Sequence, residues 1–380
     1  MCRLSLTNPK TFDFTAPQMV LTIKLTSFAY NTFDSAPTSS NLPQRAPSQV
    51  SHLSISTLPS LLEFLGFLFF TPSFFIGPAV SFKDYLDYTN RIGQFEQIPS
   101  TLLPAFKCFL ESIFFLALFS SYGARITFWK CLSDEFQSWN IVRRVAWICA
   151  AGFFARCKYF CAWKLSEGAC ILAGIGYIPP PPYQGSNGQS EPHHHPHHPK
   201  RKGTWTRLTQ VKPLTLETSS SFKVIVDNWN MQTVYWLRNY VFLRVPGSST
   251  TRTIITYLTS AFWHGFFTGY YLTFLHGAIL SITARILRRR LRHIFHPKFP
   301  IIYNSLGWLL SHIALNYSVA PFMVLGWNDS LNAWRSLWFG PTIGCCLVLV
   351  VDWCLRMIEK NNKRPGIKEV RENPESLKLE

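Results

Sequence analysis

Asp227-Asn228-Trp229-Asn230-Met231-Gln232-Thr233-Val234-Tyr235-Trp236-Leu237-Arg238 and Ser260-Ala261-Phe262-Trp263-His264-Gly265-Phe266-Phe267-Thr268-Gly269-Tyr270-Tyr271-Leu272-Thr273-Phe274 are the two pieces on which the reading of this chain turns. They sit between apolar blocks. The second sets one imidazole in a run otherwise made of aromatic, aliphatic and small residues. Burying a polar group in hydrocarbon without a partner costs roughly 2–7 kcal/mol, depending on the reference state. An ionisable residue at membrane depth is therefore a hypothesis about function. His264, with Asn230 as its companion, is the leading candidate pair.

Composition sets the class. Hydrophobic residues make up 47% and charged residues 15% of the 380, against about 25% charged in soluble domains. The 32 Phe and 13 Trp suit lipid-facing surfaces and interfacial belts. The expected fold class is all-α, a polytopic helical membrane protein. The net charge of +17 would suggest nucleic acid in a soluble chain. Here the charge lies in short runs beside apolar blocks: Arg143-Arg144, Lys200-Arg201-Lys202 and Arg288-Arg289-Arg290. That is the pattern of cytosolic flanks and anionic headgroups, so membrane lipids, and no nucleic acid, are the expected partners. The ten cysteines form no CxxC pair. Several lie in apolar runs, where free Cys acts as a small hydrophobe, and they read as reduced. Met1 to Leu6 lacks a signal-peptide core, so an internal segment must drive insertion.

Along the chain, 1–16 is an N-terminal segment and 17–178 a set of membrane helices. Residues 17–33 read as a short or partly buried helix broken by Lys24, and 34–52 as a loop. Residues 53–80 are one tilted span or two pieces parted near Pro72. In 101–122, a span, Glu111 needs an internal partner. Two shorter apolar pieces follow in 139–178, separated around Arg156-Cys157-Lys158. Residues 179–203, rich in Pro and His, read as a water-exposed loop insertion. Its run His193-His194-His195-Pro196-His197-His198 lacks a second ligand type and fixed geometry, so no metal role is assigned.

The stretch 204–358 is the expected catalytic region. Residues 222–243 read as a helix buried in protein or lining a cavity, and 254–284 as a span holding His264. Arg285 to Arg292 mark a cytosolic border. Residues 300–326 and 337–357 are final spans joined by a loop with Asn328-Asp329-Ser330. Residues 359–380 form a charged tail. The count is six to nine membrane segments.

An unperturbed imidazole, with a pKa of about 6.5, is mostly free base at neutral pH. A neutral ring can take a proton from an alcohol, a step worth roughly 10²–10⁴ in rate. The Asn230 amide can hydrogen-bond a developing oxyanion or orient a hydroxyl. Thr233, Trp236 and Tyr270 can shape an acyl slot. No metal motif accompanies His264 and no Gly-x-Ser-x-Gly elbow is present, which argues against zinc hydrolysis and a serine acyl-enzyme. On residue chemistry alone several roles stay open: a structural hydrogen bond between helices, direct acyl transfer, transport and haem ligation.

At these residues the chain resembles the membrane-bound O-acyltransferase family, and its lysophospholipid acyltransferase branch most of all. Trp229 to Thr233 followed by Trp236-Leu237 is similar to that branch's asparagine motif, and Ser260 to Phe274 to its histidine motif. Asp13 to Met19, Lys24 to Ser27, Ser60 to Phe64, and Gly77-Pro78 with Phe82 to Tyr85 agree, so the resemblance covers residues 10–178 and 204–358. It implies a helix bundle around an intramembrane reaction tunnel in the endoplasmic reticulum membrane. The implied reaction moves a fatty acyl chain from acyl-CoA, as co-substrate, to the free hydroxyl of a lysophospholipid, with no metal and no bound cofactor. Lysophosphatidylethanolamine or lysophosphatidylserine are the implied acceptors, often with oleoyl-CoA. By carry-over His264 is the catalytic base and Asn230 its partner. Trp229, Thr233, Trp236, Trp263, Gly265, Tyr270 and Tyr271 are the expected substrate-binding set. An acceptor of another class (protein, sterol or diacylglycerol) or a non-catalytic membrane protein is the alternative. The chain departs from the family pattern at Thr268, where proline is common, in the 179–203 insertion, and in lacking the helices expected before Asp13, as in a truncated form. Arg288-Arg289-Arg290 reads as a topology determinant or as a clamp on CoA phosphates.

Overall fold

The computed structural model describes residues 14–35, 47, 50–180, 183–184, 190–191 and 203–362. The N-terminal helices are α1 (Thr15–Ser35), α2 (Leu61–Leu68), α3 (Thr71–Phe74), α4 (Phe82–Thr89), α5 (Leu102–Leu118), α6 (Asp134–Ser138) and α7 (Ile141–Ala173). After the Pro/His-rich stretch come α8 (Pro213–Thr218), α9 (Phe222–Asp227), α10 (Met231–Leu237) and α11 (Ser249–His264). The chain closes with α12 (Thr268–Phe295), α13 (Pro300–Val324), α14 (Trp327–Arg335) and α15 (Gly340–Asn362). Of the 179–203 insertion, two antiparallel two-residue strands, Tyr183–Gln184 and Ser190–Glu191, are described. Its histidine run and the tail beyond residue 362 lie outside the described residues.

Among the described residues, four segments are long and apolar enough to cross a bilayer: Leu102–Leu132, Ile141–Ala173, Thr268–Phe295 and Gly340–Asn361. They present apolar side chains outward, with Leu103 78% and Trp353 62% exposed. In water so much exposed hydrocarbon would be an aggregation liability; in a bilayer it is the lipid-facing surface. Six to nine segments were expected from sequence, and the difference has local causes. Residues 53–80 break into α2 and α3. Residues 222–243 break at Asn228 to Asn230, and 254–284 break at Gly265. The expected loop around Asn328-Asp329-Ser330 is instead α14, which begins at Trp327, after Gly326, with Asp329 in its first turn, where a carboxylate suits the helix dipole.

One break expected from sequence is absent. α7 runs unbroken for 33 residues through Arg156, because the guanidinium is fully partnered inside the protein. Its Nε and Nη2 donate to Glu217 of α8 at 2.6 and 2.9 Å, and its Nη1 to Asn316 of α13 at 2.6 Å. α5 lies along α7, where Glu111 finds the partner it needs in Lys164 at 3.1 Å. Lys164 also pairs with Glu167, whose carboxylate accepts from Thr209 at 2.9 Å. Lys24 does not break α1. Its ammonium donates to the Phe67 and Leu68 carbonyls at 2.8 and 3.2 Å, satisfying the last turn of α2. Phe136, Ile148, Tyr317 and Trp334 anchor a core between α7, α13 and α14, and the described cysteines are free thiols.

Candidate active site

The histidine piece folds as two helices with a break between them. α11 starts on the Ser248 cap and ends at His264 because Gly265 turns to φ 123°, a conformation open to glycine and strained for other residues. The chain then re-enters helix at Thr268. His264 is therefore a terminal residue facing a helix break, half-buried, and not an imidazole in mid-span as the run of apolar letters suggests. Such a position exchanges lipid contact for contact with protein.

Four aromatic rings surround it. Phe274, one and a half turns into α12, stacks on the imidazole at 5.0 Å between centroids and 24° between planes. Phe322 of α13 meets it edge-on at 5.1 Å, with Trp263 at 4.9 Å and the fully buried Tyr270 at 5.8 Å. The box depends on a close approach. The Gly269 N–H donates to the Leu325 carbonyl at 2.9 Å, and a Cβ at Gly269 would overlap the Pro321 carbonyl and lie 2.9 Å from Leu325 Cα. A glycine here lets α12 touch the end of α13 and so carries Phe322 to the ring.

The asparagine piece has a comparable break. Asn230 sits at φ 45°, ψ 54°, between α9 and α10, with no side-chain bond to the helix it precedes. Asparagine is among the few residues that tolerate this left-handed geometry. The turn is pinned from the irregular 207–212 segment: Met231 N–H donates to the Gln210 carbonyl at 2.8 Å, and the Gln232 amide to the Arg207 carbonyl at 3.1 Å. The amide of Asn230 is left free of local capping duty.

α1 brings the two pieces together. Trp236 of α10 donates its indole N–H to Thr26 Oγ1 at 3.0 Å, and Trp263 of α11 donates to the Met19 carbonyl at 3.1 Å. The two indoles lie 6.0 Å apart. Further along, Tyr240 donates to Asn31 Oδ1 at 2.8 Å, and Arg244 forms a two-pronged pair with Asp34 at 2.9 and 2.6 Å. Burial pushes the Tyr240 phenol up to about 12, against the opposing pull of its Asn31 bond, so it stays protonated and donating. These contacts form a polar seam joining α1 to the turn after α10.

Of the expected substrate-binding set, Trp236, Trp263, Gly265 and Tyr270 gather at the His264 end. Thr233 is buried on α10 one turn before Trp236, and Tyr271 is half-buried at the start of α12. Trp229 goes elsewhere: its ring packs at 4.7 Å on Trp163 and 5.6 Å on Tyr159, both of α7. Sequence reasoning missed Phe322, which nothing in the α13 pattern singles out. The α1 acceptors were within reach, since Met19 and Thr26 fall inside the upstream pieces already noted. Two cavities in the fold, one near Tyr88 and Gly174 and one around Arg285 to His296, lie away from His264, and neither traces the tunnel that the resemblance implies.

Residues 4–326 match the membrane-bound O-acyltransferase family. The chain belongs to that family. It is 34% identical over 363 residues to a Schizosaccharomyces pombe protein named lysophospholipid acyltransferase, a match covering 89% of this chain and 66% of the relative. A Saccharomyces cerevisiae protein of the same name is 31% identical, with 87% and 55% covered. A Gallus gallus membrane-bound glycerophospholipid O-acyltransferase 2 is 29% identical, with 93% and 67% covered. The chain thus spans between about half and two thirds of the length of these relatives. Within this membrane-bound O-acyltransferase chain, Thr268 takes the first helical position of α12 and its hydroxyl reaches the Leu325 carbonyl at 3.3 Å. A first helical position accepts proline equally well, so this departure leaves the break after His264 in place.

Proposed function

We propose that the chain transfers a fatty acyl group from acyl-CoA to the free hydroxyl of a lysophospholipid, with His264 as general base, in the endoplasmic reticulum membrane. One observation carries the reading most: the histidine of the family motif ends a helix inside an aromatic box, in a chain whose relatives are named for lysophospholipid acyl transfer. The hydroxyl oxygen attacks the thioester carbonyl carbon while the His264 ring takes the hydroxyl proton. The C–S bond then breaks, the thiolate takes the proton back, and the products are a diacyl phospholipid and CoA. The Asn230 amide donates to the carbonyl oxygen as charge builds on it. Aromatic walls keep water from competing as acceptor and strengthen each polar contact inside.

The acceptor we favour carries an ethanolamine or serine headgroup. Membranes from cells expressing the chain, given labelled oleoyl-CoA and a panel of lysophospholipids, diacylglycerol, sterol and peptide, should form diacyl phosphatidylethanolamine or phosphatidylserine. His264→Ala should lower that rate by at least about 10². Unchanged product from this variant at equal expression would remove His264 as the base. Product on a non-phospholipid acceptor alone would remove the acceptor assignment.

A further inference from the structure

The last third of α12 carries more positive charge than its protein neighbours neutralise. Arg285, Arg288, Arg292 and His296 recur at helical spacing and share a face. With Arg289, His293 and Pro297 they line a shallow, open cleft of about 570 Å³ along this end of the helix, and no carboxylate is among its lining residues. On the flank toward α15, Asp352 is already divided among Arg290 at 3.0 Å, Arg289 at 3.4 Å and Arg356 at 2.7 Å. On the cleft side, Arg285 reaches only the Thr253 hydroxyl among the described residues, at 3.1 Å. Among the described residues, no side-chain hydrogen bond or ion pair engages Arg288 or Arg292, and both are exposed. The Arg285–Thr253 bond also places α11, about one turn in from its N-terminus, beside the cleft. There Arg252 has a buried Nε with no partner, and the helix dipole adds positive potential.

α12 is one of the four segments that can cross a bilayer. Leu291, between the arginines, and Ile294 and Phe295, just past Arg292, are exposed, and this interleaving of apolar and basic side chains marks the depth where hydrocarbon gives way to headgroups. Guanidinium groups match phosphate oxygens in forked geometry, and basic pockets at the ends of membrane helices suit anionic headgroups. We propose that this cleft binds the phosphate of an anionic membrane phospholipid, gripped by Arg288 and Arg292 with Arg285 behind them. His264 lies beyond the opposite end of α12, on the order of 30 Å away at 1.5 Å per residue. The inference is therefore independent of the acyl-transfer reading.

Native mass spectrometry of the detergent-purified full chain tests it, with equal additions of dioleoyl phosphatidic acid or dioleoyl phosphatidylcholine. Wild type should prefer the anionic lipid by roughly 30-fold, the contribution expected of two arginines at a membrane surface. The double variant Arg288→Gln/Arg292→Gln, which breaks no side-chain hydrogen bond or ion pair among the described residues, should lose that preference while eluting at the same volume. Arg288→Lys/Arg292→Lys should keep most of it. Inorganic phosphate and adenosine 3′,5′-diphosphate, the phosphate-bearing part of CoA, should not displace the lipid. No preference in wild type, or a preference that survives the Gln variant, overturns the proposal. Displacement by the soluble phosphates also overturns it and assigns the cleft to a free phosphate or to CoA.

Discussion

Replacing Asn230 by glycine separates two reasons for an asparagine at that position. The residue is left-handed, at φ 45° and ψ 54°, so a substitution acts both on the backbone and on the amide. Alanine in this conformation costs about 1–2 kcal/mol of local strain; glycine costs nothing there. Glycine loses only about 0.4–1 kcal/mol through the freer unfolded chain. Neither change should unfold the protein, because the turn stays pinned by Met231 on Gln210 and Gln232 on Arg207. If the amide stabilises the developing oxyanion, both variants lose roughly 10²–10³ in turnover, the usual effect of removing one such donor. If the asparagine serves the backbone alone, glycine keeps wild-type turnover and alanine is the less stable of the two. Initial rates with labelled oleoyl-CoA and lysophosphatidylethanolamine, at matched protein levels, decide between these. Full activity in Asn230→Gly would refute the chemical role given to the amide.

Other perturbations follow from the same geometry. Asp34→Ala leaves the half-buried Arg244 guanidinium without its carboxylate and should cost roughly 1–3 kcal/mol, read as a lower unfolding midpoint in detergent; Arg244→Leu alongside it should recover part of the loss. Trp263→Phe keeps the ring beside His264 but removes the indole bond to Met19, so turnover should fall while expression stays unchanged, measured against the same acceptor. Gly269→Ala pushes α12 off the Pro321 carbonyl, at roughly 1–3 kcal/mol for an overpacked contact, and should lower activity by displacing Phe322 from the imidazole. Thr268→Pro should change stability by no more than about 0.5 kcal/mol, as for a surface change, since it gives up one 3.3 Å hydroxyl contact at a first helical position; a collapse of expression would contradict the helix start at that residue.

Sequence alone settled the class of this protein and drew attention to His264 and Asn230. An apolar composition with positive runs beside the apolar blocks requires membrane helices, and a lone imidazole among aromatic letters is conspicuous because burying it is costly. The need of Glu111 for a partner was legible too, for the same reason. Tertiary structure alone decided where helices break. Arg156 looks like a breaker in one dimension and is not, because Glu217 and Asn316 arrive from α8 and α13 to satisfy it. His264 looks central to a span and instead ends a helix, because the backbone at Gly265 turns where only glycine turns freely. The α1 seam that draws Trp236 and Trp263 together, and the departure of Trp229 to α7, depend on contacts more than sixty residues apart. Local pattern reports what a residue needs; only the packed chain shows which neighbour supplies it.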